Sequence, residues 1–138
     1  MRTSEAGIAF IKANEGLGRV PYNDNGRAAW GYGHDQQAGE PEPSQISADQ
    51  ADLLLRQDLA SRFEPAVNAL IPPDCTQNQF DSCVDFAYNL GVASLRMMVG
   101  HGWENVPTQM LRWNHVNGAE NAGLTARRQA EVALFNTP

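Results

Sequence analysis

Two carboxylates early in the sequence have the surroundings to divide acid and base work between them. Glu15 closes an apolar-periodic stretch and is followed by Gly16, so its carboxyl falls at the negative end of a helix. That position, with partial burial, disfavours ionisation and predicts a raised pKa. Asp24 lies in the run Asn23-Asp24-Asn25-Gly26, a turn-forming segment that predicts a solvated, ionised side chain. A carboxylic acid held protonated near neutral pH can give a proton to a leaving oxygen, and an ionised partner can hold or activate water. That division suits glycosidic bond cleavage. The pair is not diagnostic alone, since Asp is commonplace in Asn-Gly turns and Glu at a helix end is usually just exposed.

The elements that must position these groups follow from local signals. Ser4 caps a first helix whose apolar face is Ile8, Ile11 and Phe10. From Gly16 to Gly39, short aromatic pieces alternate with turn residues, and Asn25-Gly26 predicts a glycine-rich β-hairpin. A helix is expected from Ser47, with Leu53, Leu54, Leu55, Leu59, Phe63, Val67 and Leu70 as its stripe and Pro65 kinking or interrupting it. Thr76 is the cap expected for a second core helix ending at Gly91, with Phe80, Cys83, Val84, Phe86, Ala87 and Leu90 facing inward. The last third reads as broken helix, and a final helix opens near Leu124 or Thr125. The fold class is α+β, mostly α, as a single domain. A β-hairpin lobe over about 16–46 and a helical lobe over about 47–138 plus the N-terminal helix would flank a cleft.

Composition narrows the function classes. With 10 Lys and Arg against 16 Asp and Glu, the net charge is −6, which argues against nucleic acid as a partner. No apolar run approaches the roughly 18–20 residues of a membrane span. The stretch Met1–Glu5 has neither the basic start nor the apolar core of a secretory signal, so synthesis in the cytoplasm is expected. Cys75 and Cys83 have no metal-like or redox-like spacing and are expected as free thiols. No His/Cys/Asp cluster has metal-ligand spacing, so neither metal nor cofactor is expected.

Several motifs in one order carry a more specific signal. These are Phe10–Gly16, then Tyr22-Asn23-Asp24, then Gly31-Tyr32-Gly33-His34; further along come Ala51–Leu54 with Asp58-Leu59, Gln77–Asp81, Phe86–Gly91, Arg112-Trp113-Asn114 and Gly123–Arg128. Together they strongly resemble the phage-type lysozymes of glycoside hydrolase family 24, over nearly the whole chain. The resemblance implies a lysozyme-like fold and hydrolysis, with inversion, of the β-1,4 bond between N-acetylmuramic acid and N-acetylglucosamine in peptidoglycan. Glu15 matches the catalytic glutamate and Asp24 the catalytic aspartate. The family's third catalytic position is a Thr, and Ala29 stands there; it has no hydroxyl with which to help orient water.

The resemblance also implies that Arg127 reaches the catalytic glutamate, opposing the effect of burial, and that His34 pairs with Asp58 to pin the hairpin to the long helix. Trp30, Tyr32 and Asn89 suit a sugar-lined cleft, with packing as the alternative reading. Glycan strands of peptidoglycan are the implied partner, and a monomer is expected. Without a leader, the protein would reach the wall after holin-type release or by secretion. Ala29 supports a rival reading, a degenerate muramidase that binds peptidoglycan without cleaving it.

Overall fold

The computed structural model describes all residues, Met1–Pro138. Helix α1 spans Glu5–Glu15. The Ser4 side chain accepts from the Gly7 N–H, and Gly16 ends the helix at φ +71°, where a Cβ would be strained. Its buried residues are Gly7, Ile8 and Ile11; Phe10 is only half-buried. A Cβ on Gly7 would lie 2.6 Å from the Asp81 carboxyl carbon, so glycine permits this close approach. Asp81 in turn accepts from the backbone N–H and the hydroxyl of Ser4, fixing where α1 begins.

Strands β1 (Gly18–Asp24), β2 (Arg27–Gly31) and β3 (His34–Asp35) form an antiparallel sheet in sequence order. Asn25 and Gly26 both have positive φ, +51° and +84°, as a two-residue hairpin of this hand requires. A loop follows, tied to β1 by a 2.8 Å bond from the Ile46 N–H to the Arg19 carbonyl.

Helix α2 covers Ala48–Asp58, and Ser47 with Gln50 forms a reciprocal capping box. Helical structure does continue to residue 70, but in three pieces. After α2 comes a π-helical segment, Leu59–Phe63, and then α3, Glu64–Leu70. Pro65 explains the break: it has no N–H to donate one turn back, so the chain widens before it and restarts with Pro65 in the first turn. Leu53, expected on the inward stripe, is 57% exposed. It sits two residues from both Ala51 and Leu55, which are buried, and so faces the other side of the helix.

Helix α4 (Gln77–Leu90) starts from a Thr76 capping box and stops at Gly91 with φ +94°. Residues 80–87 are all buried, so α4 is the axis of the helical part. Around it lie α5 (Val92–Val99), α6 (Val106–Met110) and α7 (Ala122–Phe135), with a short 3-10 turn at Trp103–Asn105. One contiguous core joins Ile8 and Ile11 of α1, Leu55 and Leu59, Phe80, Phe86, Leu95, Met98, Met110 and Phe135. Between α6 and α7 the chain makes a second small hairpin, β4 (His115–Val116) and β5 (Ala119–Glu120), where irregular helix was expected. The final helix opens at Ala122, capped by Asn121, two to three residues before the expected start. Cys75 and Cys83 are free thiols. The fold is α+β and mostly α.

Candidate active site

Because α1 ends where the sheet begins, the Glu15 carboxyl meets the sheet directly. It packs on Gly33, in the turn between β2 and β3, where a Cβ would fall 2.6 Å from Oε2. Gly33 has φ +75°, so both its backbone and its lack of a side chain are needed there. An open cleft of about 430 Å³ is lined by Glu15, Tyr22, Asp24, Asn25, Gly33, Asp35, Tyr88 and Asn89, among others. The two carboxylates singled out in the sequence therefore share one crevice. Asp24 is exposed at its rim, and the Asn25 amide lies 3.4 Å from its Oδ1.

Glu15 is the more enclosed of the two, its side chain 18% exposed. Burial pushes its pKa up; the Arg127 guanidinium, 2.9 Å from Oε1, pulls it down, and the charges of Asp85 and Asp24 add to the rise. The net direction is upward. Removal from water thus outweighs the arginine, and the protonated form is favoured at higher pH than for a free glutamate.

Arg127 is held by more than Glu15. Its Nε and a terminal nitrogen donate to Asp85 at 3.0 and 2.9 Å, a bidentate pair between α7 and α4. Arg128, fully buried, donates to Glu131 and to the Asn89 side-chain oxygen at 2.7 Å each, and its guanidinium lies over the Phe86 ring. Burial first, then Asp85, pushes the Glu131 carboxyl upward, toward its neutral form. Asp85 was not foreseen as a site residue. The signal for it was a charged residue inside the apolar run Cys83-Val84-Asp85-Phe86-Ala87, which demands a buried cation.

The aromatic candidates separate. Across the sheet, Tyr22 pairs with Ala29 and Ala29 with Asp35, so these three form one row on the cleft side. Ala29 is fully buried within that row. Trp30 is the next residue along β2 and points the other way. It is 3% exposed, packs on His34 with ring centroids 5.2 Å apart, and borders a different groove with Pro41, Ile46 and Leu54. Of the two readings of Trp30, cleft lining and packing, the structure shows packing. Tyr32 does not line the cleft either: its ring packs on the core, the Lys12 ammonium lies 5.2 Å from the ring centroid, and its carbonyl accepts from the Tyr88 hydroxyl. Asn89 does line the cleft while also receiving Arg128.

His34 sits on the far face of the sheet. Its Nδ1 is 2.6 Å from Asp58 Oδ2, and its Nε2 is 2.8 Å from Glu40 Oε1. Glu40, which the sequence presents only as part of a loop, thereby closes a clamp between sheet, loop and α2. Burial disfavours the charged ring, yet the bonds to Asp58 and Glu40 outweigh it and raise the pKa. No group of three or more His, Cys, Asp or Glu is placed to hold a metal ion. No helix is long and apolar enough to cross a membrane.

Comparison with known proteins gives the arrangement its context. The endolysin of Bacillus phage B103 is 35% identical over 147 aligned residues, which take in 99% of this chain and 55% of that protein. The chain thus spans little more than half the length of that relative, and likewise 56% of the endolysin of Bacillus phage PZA. The endolysin of Acyrthosiphon pisum secondary endosymbiont phage 1 is 32% identical and aligns over 99% of both chains. Among solved structures, the muramidase domain of SpmX from Asticaccaulis excentricus matches with a TM-score of 0.86 at 34% identity, covering 99% of each chain. The profile of the family described as phage lysozyme matches residues 12–131, and this chain belongs to that family.

Proposed function

We propose that residues 1–138 act as one muramidase domain that hydrolyses the β-1,4 bond between N-acetylmuramic acid and N-acetylglucosamine in bacterial peptidoglycan. The observation that carries this reading is Glu15, a half-buried carboxyl with a raised pKa, in the same open cleft as the exposed Asp24. Glu15 protonates the leaving oxygen. Asp24 takes a proton from water as that water attacks the anomeric carbon from the other face of the sugar, with inversion. Arg127 limits how far the Glu15 pKa rises, and Asn89 and Tyr22 contact the glycan. The reaction uses no cofactor. The domain meets its substrate in the wall, after holin-type opening of the membrane or by secretion.

The test compares wall lysis by the protein and by Glu15→Gln, with mass spectrometry of the released muropeptides. Hydrolysis gives reducing-end products, whereas a lytic transglycosylase gives 1,6-anhydro ends. Lysis by the parent and loss in Glu15→Gln of at least about 10²-fold supports the reading. One observation favours a second reading, a degenerate muramidase that binds strands without cutting: Ala29 is fully buried and has no polar atom to offer water. Binding of sacculi by both proteins, with lysis by neither, selects that alternative.

A further inference from the structure

The sheet row that leaves position 29 without a hydroxyl holds a carboxyl beside it. Asp35 is the cross-strand partner of Ala29, and directly paired residues in an antiparallel ladder have Cβ atoms about 4.5–5.5 Å apart on one face. Asp35 lines the same cleft as Glu15 and Asp24. The clamp to α2 is made by His34 on the other face, and Asp35 forms no ion pair within 4.0 Å.

We propose that Asp35 supplies the second polar group of the water site, holding the nucleophilic water together with Asp24 where Ala29 offers no hydroxyl. The inference rests on the muramidase reading above. A neutral carboxyl offers one O–H donor and a carbonyl acceptor, the same complement a hydroxyl offers. In the reaction, the bond from the anomeric carbon to the leaving oxygen breaks and a bond from that carbon to the water oxygen forms. The Glu15 proton goes to the leaving oxygen and one water proton goes to Asp24. Asp35 keeps its proton throughout, donating to Asp24 and accepting from the water. Solvent returns the proton from Asp24 to Glu15 after the products leave.

The surroundings favour that neutral form. Burial raises the Asp35 pKa first, and the charge of Asp24 and the bond to it raise it further; Arg27 and Arg62 work the other way. Tyr22 and Tyr88, the other titratable groups that feel its charge, are phenols with raised pKa values of their own. Activity that needs neutral Asp35 falls as the pH rises through its pKa.

The experiment measures muropeptide release, sacculus binding and thermal melting for the parent, Glu15→Gln, Asp35→Ala, Asp35→Asn, and Ala29→Thr combined with Asp35→Ala. The expected result is that Asp35→Ala lowers kcat by about 10²-fold with binding and melting unchanged. Asp35→Asn, an uncharged donor and acceptor, keeps most of the rate and loses the alkaline limb that Asp35 imposes. Thr at position 29 restores at least about tenfold to the Asp35→Ala protein. An Asp35→Ala protein with parental turnover, beside a dead Glu15→Gln, overturns the role of Asp35 and leaves the muramidase reading standing. A loss in Asp35→Ala that comes with a lowered Tm and is not restored by Thr also overturns it, because Asp35 is then a sheet residue only. A parent that binds sacculi and cuts nothing overturns both.

Discussion

At the scale of single residues, the cleft depends on an atom that is missing. Gly33 has a left-handed backbone, and the space its Cβ would take is filled by Glu15 Oε2. Gly33→Ala must strain the turn, at roughly 1 kcal/mol or more, and push the carboxyl from its seat. The expected outcome is a lowered Tm together with a fall in kcat of at least about tenfold, read by melting and muropeptide release. A change in Tm alone would show that Glu15 tolerates displacement. Glu15 itself makes a pH prediction. Its raised pKa means that the acid form, and with it kcat, is lost as pH rises through that value. Arg127 holds the value down, so in the Asp35→Asn protein, where Glu15 alone sets the alkaline limb, adding Arg127→Gln moves that limb to higher pH. A limb that stays put would show that another group sets it.

At the scale of elements, two polar clamps fix where sheet and helices lie. In the first, His34 of β3 is gripped by Asp58 of α2 and by Glu40. Its pKa is raised on folding, so the stabilisation is fully present below the ordinary histidine value of 6.5 and is lost as pH rises through the higher folded value. The Tm of the parent should therefore decline across that window, and His34→Gln should flatten the decline. In the second clamp, Arg127 of α7 neutralises Asp85, which is fully buried in α4. Arg127→Met leaves that carboxylate uncompensated and should cost about 3–5 kcal/mol in chemical denaturation, whereas replacing both partners with apolar residues should cost far less.

The local parts of these elements were legible in the sequence. The capping bonds of Ser4, Thr76, Gly16 and Gly91 reach no more than four residues, so these caps could be read without knowing the fold. Longer-range parts were not. Asp85 finds its partner 42 residues away, which no local pattern encodes. Asn25-Gly26 was readable because extended segments carrying aromatics flank it, Val20-Pro21-Tyr22 before and Ala29-Trp30 after. The same dipeptide at Asn117-Gly118 turns β4 into β5, but residues 115–120 are all exposed and carry no apolar alternation to mark strands. The chemistry of Trp30 suits either the cleft or packing, and strand alternation, which puts it on the face opposite Ala29, decides for packing.

At the scale of the whole molecule, charge governs the approach to the substrate. The chain carries −6, and the exposed Asp24 stands at the rim of the cleft. Walls that retain phosphate polymers are anionic, so on the muramidase reading enzyme and substrate repel each other before they touch. That repulsion extends over about 30 Å at 0.01 M salt and about 8 Å at 0.15 M. The initial rate of muropeptide release from such walls should therefore rise as salt is raised over this range. From walls stripped of phosphate polymers by acid extraction, the rise should shrink, since only stem-peptide carboxylates remain. A wall hydrolase that docks through a basic face behaves in the opposite way, because salt screens an attraction. A rate that falls with salt on both kinds of wall would mean that a local cationic patch captures the strand despite the overall balance. Arg27, an exposed cation beside the Asp24 turn, would be the first residue to replace.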